Sequence, residues 1–258
     1  MSKFETVDYA IDAGVALITL NRPQSMNAFN RRMRGDVFEA VRLASADPQV
    51  RVAVLTGAGR AFSAGADLGD GLPPLVQLQI DEEYKPALMA IAAAPKPFIA
   101  AVNGAAAGIG ASFAMSCDLM VMADNAYIYE AFMAIALVPD GGATWHLARQ
   151  LGPKRAFEVI VEGEKIGAAR CVDLGLANRV VPAAQLLDEA LRWAHGLAAK
   201  APLALRYSKE ALARAMQLDL PDTISYEAKL QNITMLSEDA KEGVKAFFEK
   251  RPAAFKGS

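Results

Sequence analysis

Four short, nearly all-apolar runs most constrain how this chain can fold: Val15–Leu20, Val52–Thr56, Phe98–Val102 and Leu119–Ala123. Each is too short for a stable helix, and each is closed at once by Asn, Gly or Asp. That combination reads as strands buried within a core. Between them lie helical spans. Asn30 is a good N-cap for Arg31–Ala46, where Met33, Val37, Phe38 and Val41 share one face. A second helix is expected over Asp81–Ala94, ended by Pro95-Lys96-Pro97, and a third leads out of Asn103–Gly110 through Ser116. Thr6–Ile11 alternates and precedes the turn Asp12-Ala13-Gly14, which signals a hairpin, and Ala126–Tyr129 reads as a further strand. From Gly142 onward every segment reads as helix, between 143–151 and 238–250. The fold class is therefore α/β, a mixed core with a helical C-terminal extension.

Length and charge narrow the function. At 258 residues the chain suits one large domain, or one domain with an appendage. Its net charge of -2 argues against a nucleic-acid binder, which carries a basic face. The stretch Phe98–Met115 is apolar but broken by Asn103 and several glycines, so it reads as core and not as a membrane span. No apolar or Arg-rich leader opens the sequence, and the expectation is a cytoplasmic protein with Cys117 and Cys171 reduced. Two histidines and two cysteines are too few for a zinc cluster, so no metal is expected. His146 and His195 have no evident partner and read as structural. Residues 69–80, rich in Gly and Pro, read as a mobile loop.

Two segments place small residues where a strand gives way to a turn: Phe62–Leu68 and Gly104–Gly110. The plain reading is close packing. The other is a pair of turns whose backbone N–H groups hold a ligand oxygen. A dinucleotide site is a weak reading of Asn103–Gly110, because no acidic residue follows to hold a ribose.

These segments, with Leu20-Asn21-Arg22-Pro23, Asn27-Ala28, Cys117-Asp118, Val138–Gly142, Ala169–Val181 and Glu242–Phe247, resemble the crotonase (enoyl-CoA hydratase/isomerase) superfamily in order and spacing across essentially the whole chain. The resemblance implies a crotonase-like spiral of ββα units over 1–198 carrying the thioester site, and a helical region over 199–258 that assembles a homotrimer or a dimer of trimers. It implies an acyl-CoA thioester as substrate, with coenzyme A part of that substrate and no separate cofactor. Carried over by position, the amides of Ala64 and Ile109 would hold the thioester oxygen. Ala64, Gly65, Ala66, Asp67 and Leu68 would line the CoA site, and Lys250 and Phe255 would approach CoA from the C-terminal helices. Asp67 and Asp118 also read as structural hydrogen-bonding residues.

The sequence departs from the family's hydratase pattern at the side chains. The two glutamates of typical hydratases fall on Ser112 and Phe132. Asp140 remains. It is open to two readings, an N-cap for the helix that follows or a base that moves a proton beside the thioester. Its surroundings, Leu137–Gly142 with Thr144-Trp145, are most similar to the ring-epoxide isomerases of phenylacetyl-CoA breakdown and to Δ3-Δ2-enoyl-CoA isomerases. Glu130 is the competing base, two residues from Phe132 and so on the same side of an extended segment. Phe132, Met133, Met89 and the 69–80 loop read either as core or as the wall of an acyl pocket. The resemblance thus favours an isomerase, with a hydratase and a non-catalytic thioester-binding scaffold as the alternatives.

Overall fold

In the computed structural model, which describes residues 4–71 and 75–258, two sheets are wound by repeating β-β-α turns. The chain opens with β1 (Val7–Asp12) and β2 (Val15–Leu20), an antiparallel hairpin. Ala13 and Gly14 both take positive φ, 43° and 83°, the conformation a two-residue hairpin turn demands. Helix α1 (Arg31–Ala46) follows, and the Asn30 side chain accepts the Met33 N–H as its sequence position implied.

Each later turn places one strand in each sheet. Strands β3 (Val52–Gly57) and β4 (Ala61–Ser63) lead to the short α2 (Val76–Gln79), a π-type turn over Ile80–Tyr84, and α3 (Lys85–Ala92). Strands β5 (Phe98–Val102) and β6 (Ala105–Ala107) lead to α4 (Ile109–Ser116). Strands β7 (Leu119–Ala123) and β8 (Tyr127–Tyr129) lead through a 3-10 turn over Ala131–Ile135 to α5 (Ala143–Leu151) and α6 (Pro153–Glu162). Then come β9 (Lys165–Gly167), α7 (Ala168–Asp173), β10 (Arg179–Val181) and α8 (Leu186–Ala198). The larger sheet has the order β1-β2-β3-β5-β7-β10, parallel after the opening hairpin, and the smaller has the order β4-β6-β8-β9. Strands β3 and β5 are buried at every residue, which explains why they lack polar alternation.

The expectation of helix alone after Gly142 is corrected by β9 and β10. Each is three residues long, so neither has a period to read; β9 is held by pairing to β8 and β10 by pairing to β7. The helix expected from Asp81 begins earlier, at Val76, so part of the 69–80 segment is ordered helix; Leu72, Pro73 and Pro74 lie outside the described residues.

Helices α9 (Pro202–Ala215), α10 (Leu220–Met235) and α11 (Glu238–Glu249) close the chain. Lys209 anchors α9 to the core: its ammonium lies 2.8 Å from Asp118 Oδ2 and donates to the Ile91 carbonyl. Cys117 and Cys171 are unlinked thiols. Among the described residues no helix is long and apolar enough to cross a membrane.

Candidate active site

Where every amide of the 61–67 turn goes decides what the turn can bind. Asn27, fully buried, holds its base: its Nδ2 donates to the carbonyls of Ala58 and Ala61, and its Oδ1 accepts the Arg22 N–H. The Ala64 N–H donates to the Met26 carbonyl at 2.9 Å. The Gly65 N–H donates to Ser63 Oγ, and the Asp67 N–H to the Phe29 carbonyl. The Ala66 N–H, which faces away from the parallel bridge that residue makes with Phe29, has no partner among the described residues. This corrects the expectation for Ala64: its amide is spent on internal structure, and the amide two residues on is the one available to a ligand.

The facing turn behaves similarly. Gly108, at φ 50° and ψ −129°, donates its N–H to the Tyr129 carbonyl and then starts α4. Ala111 and Ser112 return to the Gly108 carbonyl, which leaves the amides of Ile109 and Gly110 at the helix start without a partner among the described residues. The expected amide of Ile109 is thus free. The two turns pack closely: a Cβ placed on Gly65 would lie 2.9 Å from the Ala107 oxygen and 3.8 Å from Gly108 Cα. Only glycine, here at φ 99°, permits that approach. One on Gly110 would meet Ser63 at 2.8 Å.

Asp140 arrives over the same helix start. A Cβ on Gly141 would sit 2.2 Å from Ile109 Cδ1 and 2.9 Å from Ser112 Cβ, so the chain beside Asp140 passes directly across the first turn of α4. Ser112 Oγ donates to the Asp140 carbonyl at 3.0 Å, and the Ala143 N–H donates to it at 3.1 Å. The Asp140 side chain does not cap α5; Gly142 holds the N-cap position with no side-chain bond. Asp140 Oδ1 is instead buried without a partner among the described residues, and burial pushes this carboxyl up to about 6. Of the two sequence readings, the cap is excluded.

Glu130 sits just past the end of β8 with 1% of its surface exposed, and both of its carboxylate oxygens are buried without a partner among the described residues. Burial, and then the nearby charge of Asp140, push it up to about 7. Tyr84 is a polar group that sequence reasoning missed. Its ring lies under the Arg34 guanidinium, and burial raises its hydroxyl, with Arg34 opposing that rise and Asp140 adding to it. Tyr84 lies within the segment expected as a helix from Asp81, and nothing in that segment's pattern sets this aromatic apart. Phe132 CZ comes within 3.8 Å of a Cβ placed on Gly108, so this ring does wall the junction, whereas Met133 and Met89 are largely exposed.

The remaining expected site residues divide. Asp67 makes a 2.8 Å ion pair with Arg22 Nη1 and accepts the Gly69 N–H, so its acid strength is raised mainly by the Arg22 hydrogen bond. It acts as a brace for the turn. Asp118 likewise accepts the Phe98 N–H and pairs with Lys209. Leu68, next in the chain after Asp67, is exposed. Phe255 is held away from the Ala66 turn within one chain. The Phe255 carbonyl accepts from Arg51, which precedes the first residue of β3, while the Ala66 turn follows the opposite end of that strand. His146 lies 3.3 Å from Ser116 Oγ and burial pushes it down to about 4, so it is a neutral structural group. Among the described residues no group of His, Cys, Asp and Glu is arranged to hold a metal.

The family model described as enoyl-CoA hydratase/isomerase matches residues 10–258. A probable enoyl-CoA hydratase of Rhodobacter capsulatus is 42% identical over 256 residues, covering 98% of this chain and 99% of that protein. A 1,2-epoxyphenylacetyl-CoA isomerase of Escherichia coli is 36% identical, covering 96% and 97%. Among solved structures, an enoyl-CoA hydratase from Bacillus anthracis superposes with a TM-score of 0.95 at 30% identity, covering 98% of this chain and 100% of that one.

Proposed function

Because this chain belongs to the enoyl-CoA hydratase/isomerase family, we propose that it is an acyl-CoA isomerase that moves a proton along the acyl group with Asp140. The observation that carries this reading is the buried carboxyl oxygen of Asp140, unpartnered among the described residues, on a loop that Gly141 and Ser112 hold against the first turn of α4, while positions 112 and 132 carry no acid. A non-catalytic scaffold has no use for a carboxyl buried at such cost. The similarity to an epoxyphenylacetyl-CoA isomerase supports the same reading.

The geometry supplies the chemistry. The thioester oxygen sits between the amides of Ala66 and Ile109, which face negative charge as it develops. Each such donor is worth about 2.7–4 kcal/mol in the transition state. The Asp140 carboxylate removes a proton next to the thioester, and the C–H electron pair passes to that oxygen. The conjugated enolate then takes the proton back at the γ-carbon from Asp140, so the double bond moves and the base is restored. A carboxyl poised near neutrality suits both halves of this transfer. For a ring epoxide, the same enolate stabilisation would serve a carbon–oxygen bond instead.

A hydratase is the second reading. It is favoured by the names of relatives, including a 2,3-dehydroadipyl-CoA hydratase of Escherichia coli at 35% identity, and by Glu130, which would supply a second carboxyl for water addition. Self-association is also part of the proposal. Leu212, Leu220, Leu236, Phe247 and Phe248 are each more than two-thirds exposed on α9 to α11, an apolar surface suited to a second copy. Lys250 and Phe255 would reach CoA in such an assembly.

The test is turnover of trans-3-enoyl-CoA and of 2-enoyl-CoA by wild type and Asp140→Asn. The expected result is double-bond migration by wild type and a loss of about 10²–10⁴ in kcat for the variant. Full activity in Asp140→Asn would remove Asp140 as base, and hydration of 2-enoyl-CoA without migration would favour the second reading.

A further inference from the structure

Glu130 is the one buried carboxyl near the site that the proton transfer does not use. Parallel pairing of β6 with β8 sets Ala107 opposite Tyr129, and the Gly108 N–H bonds to the Tyr129 carbonyl. Glu130 therefore follows directly at the level of Gly108, the residue before the Ile109 amide. Its side chain is almost wholly enclosed, and neither oxygen meets a donor among the described residues. An ionised carboxylate without donors or a cation is among the least stable groups a core can hold.

The neighbours offer no compensating positive charge. On β9, the Lys165 ammonium is placed over the Tyr127 ring, 4.7 Å from its centre. Tyr127 and Tyr129 lie on β8 just before Glu130. Helix α6 and the loop after it carry Arg155, Glu158, Glu162 and Glu164, which line a separate surface cavity together with Lys165 and Arg170. His146 is turned to Ser116. Asp140 is the charged group whose field reaches Glu130, and it is negative.

We propose that Glu130 is a positioning residue that works in its protonated form, as the neutral partner that leaves the negative charge of the site on Asp140 alone. This role rests on the reading of Asp140 as base and goes beyond it, because it assigns a task to a residue that never receives the substrate's proton. A neutral Glu130 allows Asp140 to ionise and allows the thioester oxygen to gain charge. Loss of the Glu130 proton to solvent would place a second negative charge beside both, opposing the enolate as it forms. Burial, with Asp140 adding to it, holds this proton to about 7, so the carboxyl is neutral in the range where Asp140, at about 6, first becomes a base.

Two measurements test this. Carbon-13 carboxyl NMR of the glutamate-labelled wild-type protein should show one glutamate resonance titrating near 7, absent in Glu130→Gln; that signal needs no turnover. If every glutamate carboxyl titrates below about pH 5.5, the usual range with its spread, the proposal fails. The pH profile of kcat/KM should be bell-shaped in wild type, rising with Asp140 and falling as Glu130 ionises. In Glu130→Gln the falling limb should disappear, and Glu130→Leu shows whether packing alone accounts for the change. Superimposable profiles for wild type and Glu130→Gln overturn the proposal even where Asp140→Asn is inactive. An active Asp140→Asn overturns the reading of the base instead, while the NMR titration still decides the state of Glu130.

Discussion

Ser112 Oγ donates to the main-chain carbonyl of Asp140 across 3.0 Å, from the buried face of α4 to the loop before α5. A serine therefore occupies the place where typical hydratases of the family carry an acid, and it positions the carboxyl that the site retains. Ser112→Ala removes that bond but leaves the second one, from Ala143, in place. The expected cost is about 0.5–1.5 kcal/mol, read as a fall in kcat of up to roughly tenfold with KM little changed. An unaltered kcat would show that Gly141 alone fixes the loop.

Activity should fall in acid. Burial raises the Asp140 carboxyl to about 6, and in the proposed reaction its carboxylate is the base. As pH drops through 6 the base takes up a proton, so kcat/KM should decline with a midpoint near 6 and not near the ordinary 3.8 of aspartate. A pH series on the thioester substrate measures this directly.

Stability should carry the opposite dependence. Glu130 is raised from 4.5 to about 7, so the folded protein holds a proton that the unfolded chain releases at lower pH. The resulting penalty is absent below the unfolded value and grows as pH rises towards 7. Glu130→Gln should therefore be more stable than wild type in urea at about pH 8, by up to about 3 kcal/mol. At about pH 4 the gain should largely vanish.

The amide accounting makes a structural prediction. With an acyl-CoA bound, the thioester oxygen should lie within about 2.7–3.1 Å of the Ala66 and Ile109 nitrogens, while the Ala64 N–H stays on the Met26 carbonyl. A complex with the oxygen on Ala64 would reverse the assignment.

Gly65→Ala should damage both fold and activity. The added carbon would meet the Ala107 oxygen at 2.9 Å from a backbone at φ 99°. Separating the two turns costs about 1–3 kcal/mol of strain and misaligns two donors. Thermal unfolding and kcat should fall together.

Much of the architecture was legible in the chain itself. The apolar runs at 52–56 and 98–102 became strands buried on both faces, and Asn30 capped α1 as its chemistry requires. Motif order identified the family, and the departures at Ser112 and Phe132 singled out Asp140. The three-residue strands β9 and β10 were not legible, because they owe their form to neighbouring strands and carry no period of their own. Sequence also placed the oxygen-holding amide on Ala64. Small residues at 64–66 announce that a backbone can approach a ligand, but which N–H is free depends on the carbonyls of Met26 and Phe29, far earlier in the chain, which take up the N–H groups of Ala64 and Asp67. Likewise, nothing in the local sequence tells whether Asp140 caps a helix or faces a site, or whether Glu130 finds a partner. Residue type fixes what a group can do; hydrogen-bond partners and burial decide what it is left free to do, and those are supplied by segments distant in the chain.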